Sequence, residues 1–236
     1  MAVIGSLQIA VPAGCMNDCS FCIYKQHLTK FNAIWKNDFE RWAGEIEKRI
    51  RYATDQVRVV IITSQGEPTL NMPYIRDTLT ILSKVATSLA QIEIQTSGVG
   101  LTEDMLDQLY QIEVRVVSLS IPALRKEKIL EVMKVTESYS YDPISLVRLI
   151  RSKGFILGLS IAMTNWFDDY SLDDILTLFL TEWIPNQVSF KRLYGADDIA
   201  SKRYDDVLAT FTSRRDFKKL ELLPFGVWKY DVRGIG

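Results

Sequence analysis

The chain is poor in the residues that build disulfide frameworks and metal clusters. It has one histidine and three cysteines in 236 residues. An odd cysteine count, with all three in one short stretch, argues against a disulfide framework and suits a reducing cytoplasm. No apolar run approaches the ~20 residues needed to span a bilayer. The start, Met1 to Ser6, lacks a basic segment followed by a long apolar one, so no signal peptide is expected. Charge of neither sign is in excess: 28 basic and 29 acidic residues give a net −1, so bulk charge does not support a nucleic-acid partner, although a local basic patch stays open. Low-complexity linkers and internal repeats are missing too. The length allows one large domain with a substantial core.

What is present alternates. Apolar, β-branched runs alternate with stretches of helical spacing. Strands are expected at Leu7–Val11, Val57–Thr63, Ile92–Gln95, Val114–Ile121, Phe155–Met163 and Gln187–Leu193. The run VRVVIIT reads as a strand buried on both faces. Helices are expected at Phe39–Tyr52, Pro73–Ala90, Thr102–Tyr110, Leu124–Val135, 143–153, Leu172–Thr181 and Ile199–Arg214, with Thr102 and Asp142 as N-caps. Leu220 to Val232 reads as an extended tail. Six β-then-α units imply a parallel sheet with helices outside it. They are too few for a closed eight-fold barrel, so the expectation is a partial (β/α)6 barrel or a doubly wound sheet. In such folds chemistry sits at the carboxyl ends of the strands.

The three cysteines, Cys15, Cys19 and Cys22, follow the first strand with spacing C-x3-C-x2-C. Clustered thiolates suit soft metals or an iron–sulfur cluster, which usually takes four ligands. Three would leave one iron open, as an open position marks a catalytic zinc. His27 lies five residues after Cys22, so a Cys3His zinc site is the competing reading.

With Phe21 before its last cysteine, this spacing resembles the radical S-adenosylmethionine (radical SAM) superfamily. Gly66-Glu67-Pro68 after the second strand looks like that family's GGEP-type motif, with Gln65 in place of the first glycine. The resemblance covers about residues 5–195 of a single 1–236 domain and leaves 196–236 as a helix plus an extended tail. It implies that the cysteines hold a [4Fe–4S] cluster whose fourth iron is chelated by SAM. Reduction would then yield a 5′-deoxyadenosyl radical that takes hydrogen from a substrate. It further implies that Gly66, Glu67 and Pro68 receive the SAM amino group and that Phe21 lies near adenine. Thr96, Ser97, Ser118 and Ser120 would meet ribose or carboxylate, and Gly158, Ile161 and Phe190 would pack on adenine.

For the substrate or the SAM carboxylate the candidates are Lys191 or Arg192, only one of which can face inward, with Asn165 and Trp166 after strand five. Each has an ordinary alternative. Turns use Gly, Ser and Pro freely, and serines on a strand suit any half-buried face. The reaction is left open between small-molecule or nucleotide-like substrates, with isomerase, lyase or oxidoreductase outcomes. A glycyl-radical activase and a non-catalytic zinc or Fe–S module are the alternatives. No further cysteines exist for auxiliary clusters or for a methyl carrier. A reduced flavodoxin or ferredoxin is the implied electron donor.

Overall fold

The computed structural model describes residues 6–26, 39–53, 59–85, 91–136, 138–193, 195, 197–222, 228–232 and 235. The apolar runs form strands β1 (Ser6–Val11), β2 (Val59–Ser64), β3 (Gln91–Thr96), β4 (Val116–Ile121), β5 (Ile156–Ala162) and β6 (Gln187–Lys191). The helices are α1 (Ile23–Gln26), α2 (Phe39–Ala53), α3 (Met72–Val85), α4 (Glu103–Gln111), α5 (Lys126–Met133), α6 (Pro143–Ser152), α7 (Leu172–Leu178) and α8 (Tyr204–Ser213). Local chemistry sets several starts. Thr102 accepts from the Met105 amide, Asp142 accepts from the Ile144 and Ser145 amides ahead of Pro143, and Ser171 with Asp174 forms a capping box.

All six strands pair in parallel, in the order β1-β2-β3-β4-β5-β6. The doubly wound alternative is thereby corrected, because that topology reverses direction partway across the sheet and this one never does. Right-handed crossovers that always advance the same way leave their helices on one face. The other face is the concave side of a partial barrel. Residues of one parity point to the helices and form the core: Val60, Ile62, Ile94, Val117, Leu119, Leu157, Leu159 and Ile161 are each at most 1% exposed.

Helices cover only one side, so β2 is not buried on both faces as its sequence suggests. Val60 and Ile62 are buried, while Val59 and Ile61 are half-buried. Two other expectations shift. The helix after β5 turns π-helical at Phe179–Trp183, placing the fully buried Trp183 and ending at Ile184 in the left-handed region. Residues 199–203 are not helical, because Ala200 bridges to Thr164 and the Ser201 hydroxyl donates to Asp168 at 2.5 Å. The tail is a hairpin, β7 (Lys218–Leu222) against β8 (Trp228–Asp231), joined to the body through Phe211, Phe217 and Tyr230. Among the described residues no helix is long and apolar enough to cross a membrane.

Candidate functional site

The cysteine loop leaves β1 at the carboxyl edge of the sheet and is fastened on two sides. On one side it is tied to the end of β2. The Glu67 amide donates to Gly14 O at 2.8 Å, the Ser64 hydroxyl to Val11 O at 2.8 Å, and Asn71 Nδ2 to Pro12 O at 2.9 Å. Gly66 has no choice here, because a Cβ on it would lie 2.0 Å from Gly14 O. On the other side the Asp18 amide donates to Met133 O at the end of α5 at 3.0 Å, and Cys19 Sγ approaches the same oxygen at 3.7 Å. Asp18 also pairs with Lys25 and Lys134.

Glu67 is the keystone of this edge. It is 1% exposed. Its Oε1 accepts from Thr69 N, Thr69 Oγ1 and Thr96 Oγ1, and its Oε2 from Ser97 N and Ser97 Oγ. The two β3 contacts on hydroxyls are 2.6 Å each. A buried carboxylate is tolerable because these donors meet it. The Thr96 and Ser97 hydroxyls also accept from the Gly98 and Val99 amides, so both are engaged in bracing the ends of β2 and β3 together. Tyr141 caps the brace, its hydroxyl donating to Ser97 O at 3.1 Å. Burial and the neighbouring Glu67 carboxylate push its phenol far above the ordinary tyrosine range.

The three thiols share one loop. Cys15 is exposed, and Cys19 and Cys22 are half-buried. Burial, reinforced by the other two sulfurs, pushes Cys19 up to about 12, and burial likewise raises Cys15. The Asn17 amide donates to Cys15 Sγ at 3.4 Å, while the buried Asn17 Oδ1 has no hydrogen-bond partner among the described residues. Among those residues no three His, Cys, Asp or Glu side chains converge as ligands of one metal ion. His27 lies outside the described residues. Three soft donors spread around a loop, beside an orphaned amide oxygen, fit a polynuclear cluster that meets each thiolate at a different iron.

The concave face is polar in rows. Gln95, Ser118, Gly158 and Gln187 are register partners on β3 to β6, and Ser120, Ser160 and Ser189 form the next row on β4 to β6. Ser118 and Ser160 are buried. Below these rows Glu93 accepts from Gln95 Nε2 at 3.2 Å, and Lys191 stands beside Ala162 at the carboxyl edge. Burial lowers the Lys191 pKa, and the Glu93 carboxylate acts on it in the opposite sense.

Parity separates the remaining candidates. Ile161 and Phe190 belong to the helix-facing set. Phe190 packs on Phe179 and Phe211, at 6.4 and 5.5 Å between ring centroids, so its ring serves the core and not the concave face. Arg192 is likewise turned away, paired with Asp205 and 4.9 Å from the Tyr204 ring. Asn165 is exposed, and Trp166 lies under Lys128 Nζ, 3.8 Å from its ring centroid, in a shallow depression also lined by Arg125 and Tyr170. Phe21 is half-buried in the cysteine loop. Glu93, Gln95, Ser160 and Gln187 escaped the reading of the sequence. The signal was the period-2 polarity of QIEIQT, which marks one face of β3.

Comparison with known proteins follows the same lines. No curated protein matches the chain. Among solved structures, it is similar to coproporphyrinogen III oxidase (HemN) from Escherichia coli, a radical SAM enzyme, with a TM-score of 0.56 and 17% identity over 90% of this chain and 52% of that one. It is similar to Streptococcus suis SuiB bound to S-adenosylmethionine, with a TM-score of 0.56 and 18% identity over 89% of this chain and 48% of that one. Methylornithine synthase (PylB) gives a TM-score of 0.57 and 15% identity over 81% of this chain and 54% of that one. At such identities the likeness is one of fold, and the chain spans about half the length of these structures. The family model described as "Radical SAM superfamily" matches residues 9–178. The chain therefore belongs to the radical SAM superfamily, whose members use a [4Fe–4S] cluster and S-adenosylmethionine.

Proposed function

We propose that this chain is a radical SAM enzyme in which Cys15, Cys19 and Cys22 hold the cluster, and that it acts on a small-molecule or nucleotide-like substrate. One observation carries the reading. The only three cysteines of the chain lie in a loop that is hydrogen-bonded directly to the Gly66-Glu67-Pro68 turn at the carboxyl edge of a six-stranded partial barrel. When bound, the cluster and SAM supply one-electron cleavage of SAM and, through it, hydrogen-atom abstraction from substrate.

The chain's own residues do the rest. The cysteine thiolates anchor the loop's metal side. The turn backbone at Gly66 to Pro68 offers carbonyl oxygens to an ammonium group. Glu67 acts indirectly: its side chain is occupied by Thr69, Thr96 and Ser97, so it fixes the turn's position. Thr96 and Ser97 are positioning residues of the same brace. Ser118 and Ser120, on the concave face, are placed to meet polar groups of cofactor or substrate. The open edge, where β6 does not pair with β1, admits the substrate. A reduced flavodoxin or ferredoxin supplies the electron.

The test is anaerobic purification followed by reduction in the presence of SAM. Release of 5′-deoxyadenosine by the wild-type chain, and loss of both iron and release in Cys19→Ala, is the expected result. One zinc per chain without iron would support a non-catalytic metal module instead. Release that required a large protein partner would favour an activase.

A further inference from the structure

A four-iron cluster on three thiolates is an anionic group, and each reduction adds an electron with no proton to offset it. The cysteine loop would hold it in surroundings that are already negative. Glu67 is buried beside the loop and acts on Cys15. On the other side α5 ends against Cys19, and a helix carries partial negative charge at its carboxyl end.

Two cations stand against this. Lys25 lies on α1 just after Cys22, its amide donating to Cys22 O at 3.1 Å, and its ammonium pairs with Asp18. Lys134 closes α5 with its Nζ 3.8 Å from Asp18 Oδ2. One carboxylate, next to Cys19 in the chain, thus holds two ammonium groups at the loop. Their charges reach the sulfurs: Lys25 favours the thiolate of Cys15, and Lys134 that of Cys19. The backbone of Lys134 is unusual as well. It takes the left-handed conformation, φ 47°, where a helix end ordinarily uses glycine and a side chain is strained. A lysine at a helix end suits the helix dipole, but the bond to Asp18 ties this one to the cysteine loop.

We propose that Lys25 and Lys134, held in place by Asp18, are positioning residues that raise the reduction potential of the cluster, so that a low-potential one-electron donor can reduce it. The proposal rests on the cluster reading and goes beyond it. The donor loses one electron and the cluster gains it, while both lysines keep their protons and their charge. Nearby positive charge stabilises the more negative, reduced form, so removing a lysine makes reduction harder. Both side chains are reached by solvent, so their effect weakens as salt is added.

The test is a redox titration, followed by electron paramagnetic resonance, on the full chain reconstituted with iron and sulfide and kept free of SAM. Iron content is measured on the same samples. Each lysine is replaced by a charge series: Lys134→Arg, Lys134→Met and Lys134→Glu, and the same three changes at Lys25. The expected midpoint potential is unchanged in the arginine variants, lower in the methionine variants and lower again in the glutamate variants. At the wild-type midpoint and low salt, each methionine variant shows a reduced-to-oxidised ratio smaller by roughly threefold to tenfold, and the difference narrows at high salt. Ion pairs that only brace the loop would answer to shape, and their loss would give no shift graded by charge. The proposal is overturned if iron-loaded variants share the wild-type potential, or if the shifts do not follow charge. If a methionine variant loses its iron, loading is compared with the arginine variant at the same site: recovery supports the charge role, and continued loss overturns it. If the wild-type chain holds no iron, the cluster reading fails and takes this proposal with it.

Discussion

The two faces of the sheet obey the same alternation and do opposite work. The helix-facing residues of β2 to β5 are nearly all aliphatic and buried. The concave residues opposite them run Gln95, Ser118, Gly158, Gln187, then Ser120, Ser160, Ser189, with Glu93 and Lys191 beyond. Burial of apolar area on the first face holds the fold. The second face carries most of the sheet's hydrogen-bonding side chains. Stability and ligand chemistry are thus divided by side-chain parity on the same six strands.

The sharpest way to break this division is a pair of adjacent substitutions on β4. Leu119→Ala removes a side chain that is 0% exposed among the helices and is expected to cost about 2 to 5 kcal/mol in urea unfolding. Its neighbour on the other face, Ser120, is expected to tolerate truncation far better. Next in size is Glu67→Ala. It leaves the buried donors of Thr69, Thr96 and Ser97 without their acceptor, and a loss of about 3 kcal/mol is expected, together with poor iron loading, because the turn that carries the Gly14 contact is released. Normal iron loading with normal stability would show that the edge brace is not what seats the cysteine loop.

Tyr141→Phe is expected to cost about 1 kcal/mol through its lost bond to Ser97 O. It also carries a pH signature. The folded phenol is held protonated by burial beside Glu67. Above the ordinary tyrosine value of about 10 the unfolded chain releases the proton while the folded chain keeps it, so wild-type stability falls as pH rises through that value. The phenylalanine variant lacks this portion of the alkaline slope. Equal slopes in both proteins would mean that Tyr141 titrates freely. The smallest effect closes the comparison: Ser120→Ala on the concave face is expected to shift stability by no more than about 0.5 kcal/mol. If it matched Leu119→Ala, the two faces would not differ in the way described.

Much of this arrangement could be read along the chain. Cysteine spacing and the Gly66-Glu67-Pro68 turn are local in sequence, and their order on consecutive strand ends survives folding. Strand and helix order followed from periodicity. What could not be read depends on register and parity between distant strands. Phe190 and Arg192 alternate with Lys191, and only the pairing of β5 with β6 shows that Lys191 takes the concave side. Thr96 and Ser97 read as free hydroxyls, yet a glutamate 29 and 30 residues earlier uses both. Glu93 drew no notice, because its electrostatic partner on β6 lies almost a hundred positions away. The π-helical turn at Phe179–Trp183 escaped for a different reason, since burying Trp183 overrode an ordinary helical pattern.

The central claim, that Cys15, Cys19 and Cys22 hold a cluster with one iron left to SAM, is tested most directly by iron analysis with electron paramagnetic resonance on the reduced, anaerobically prepared chain. About four irons per chain are expected, with a reduced-cluster signal that changes shape when SAM is added. Stoichiometric zinc without iron, or a full cluster signal indifferent to SAM, would contradict it.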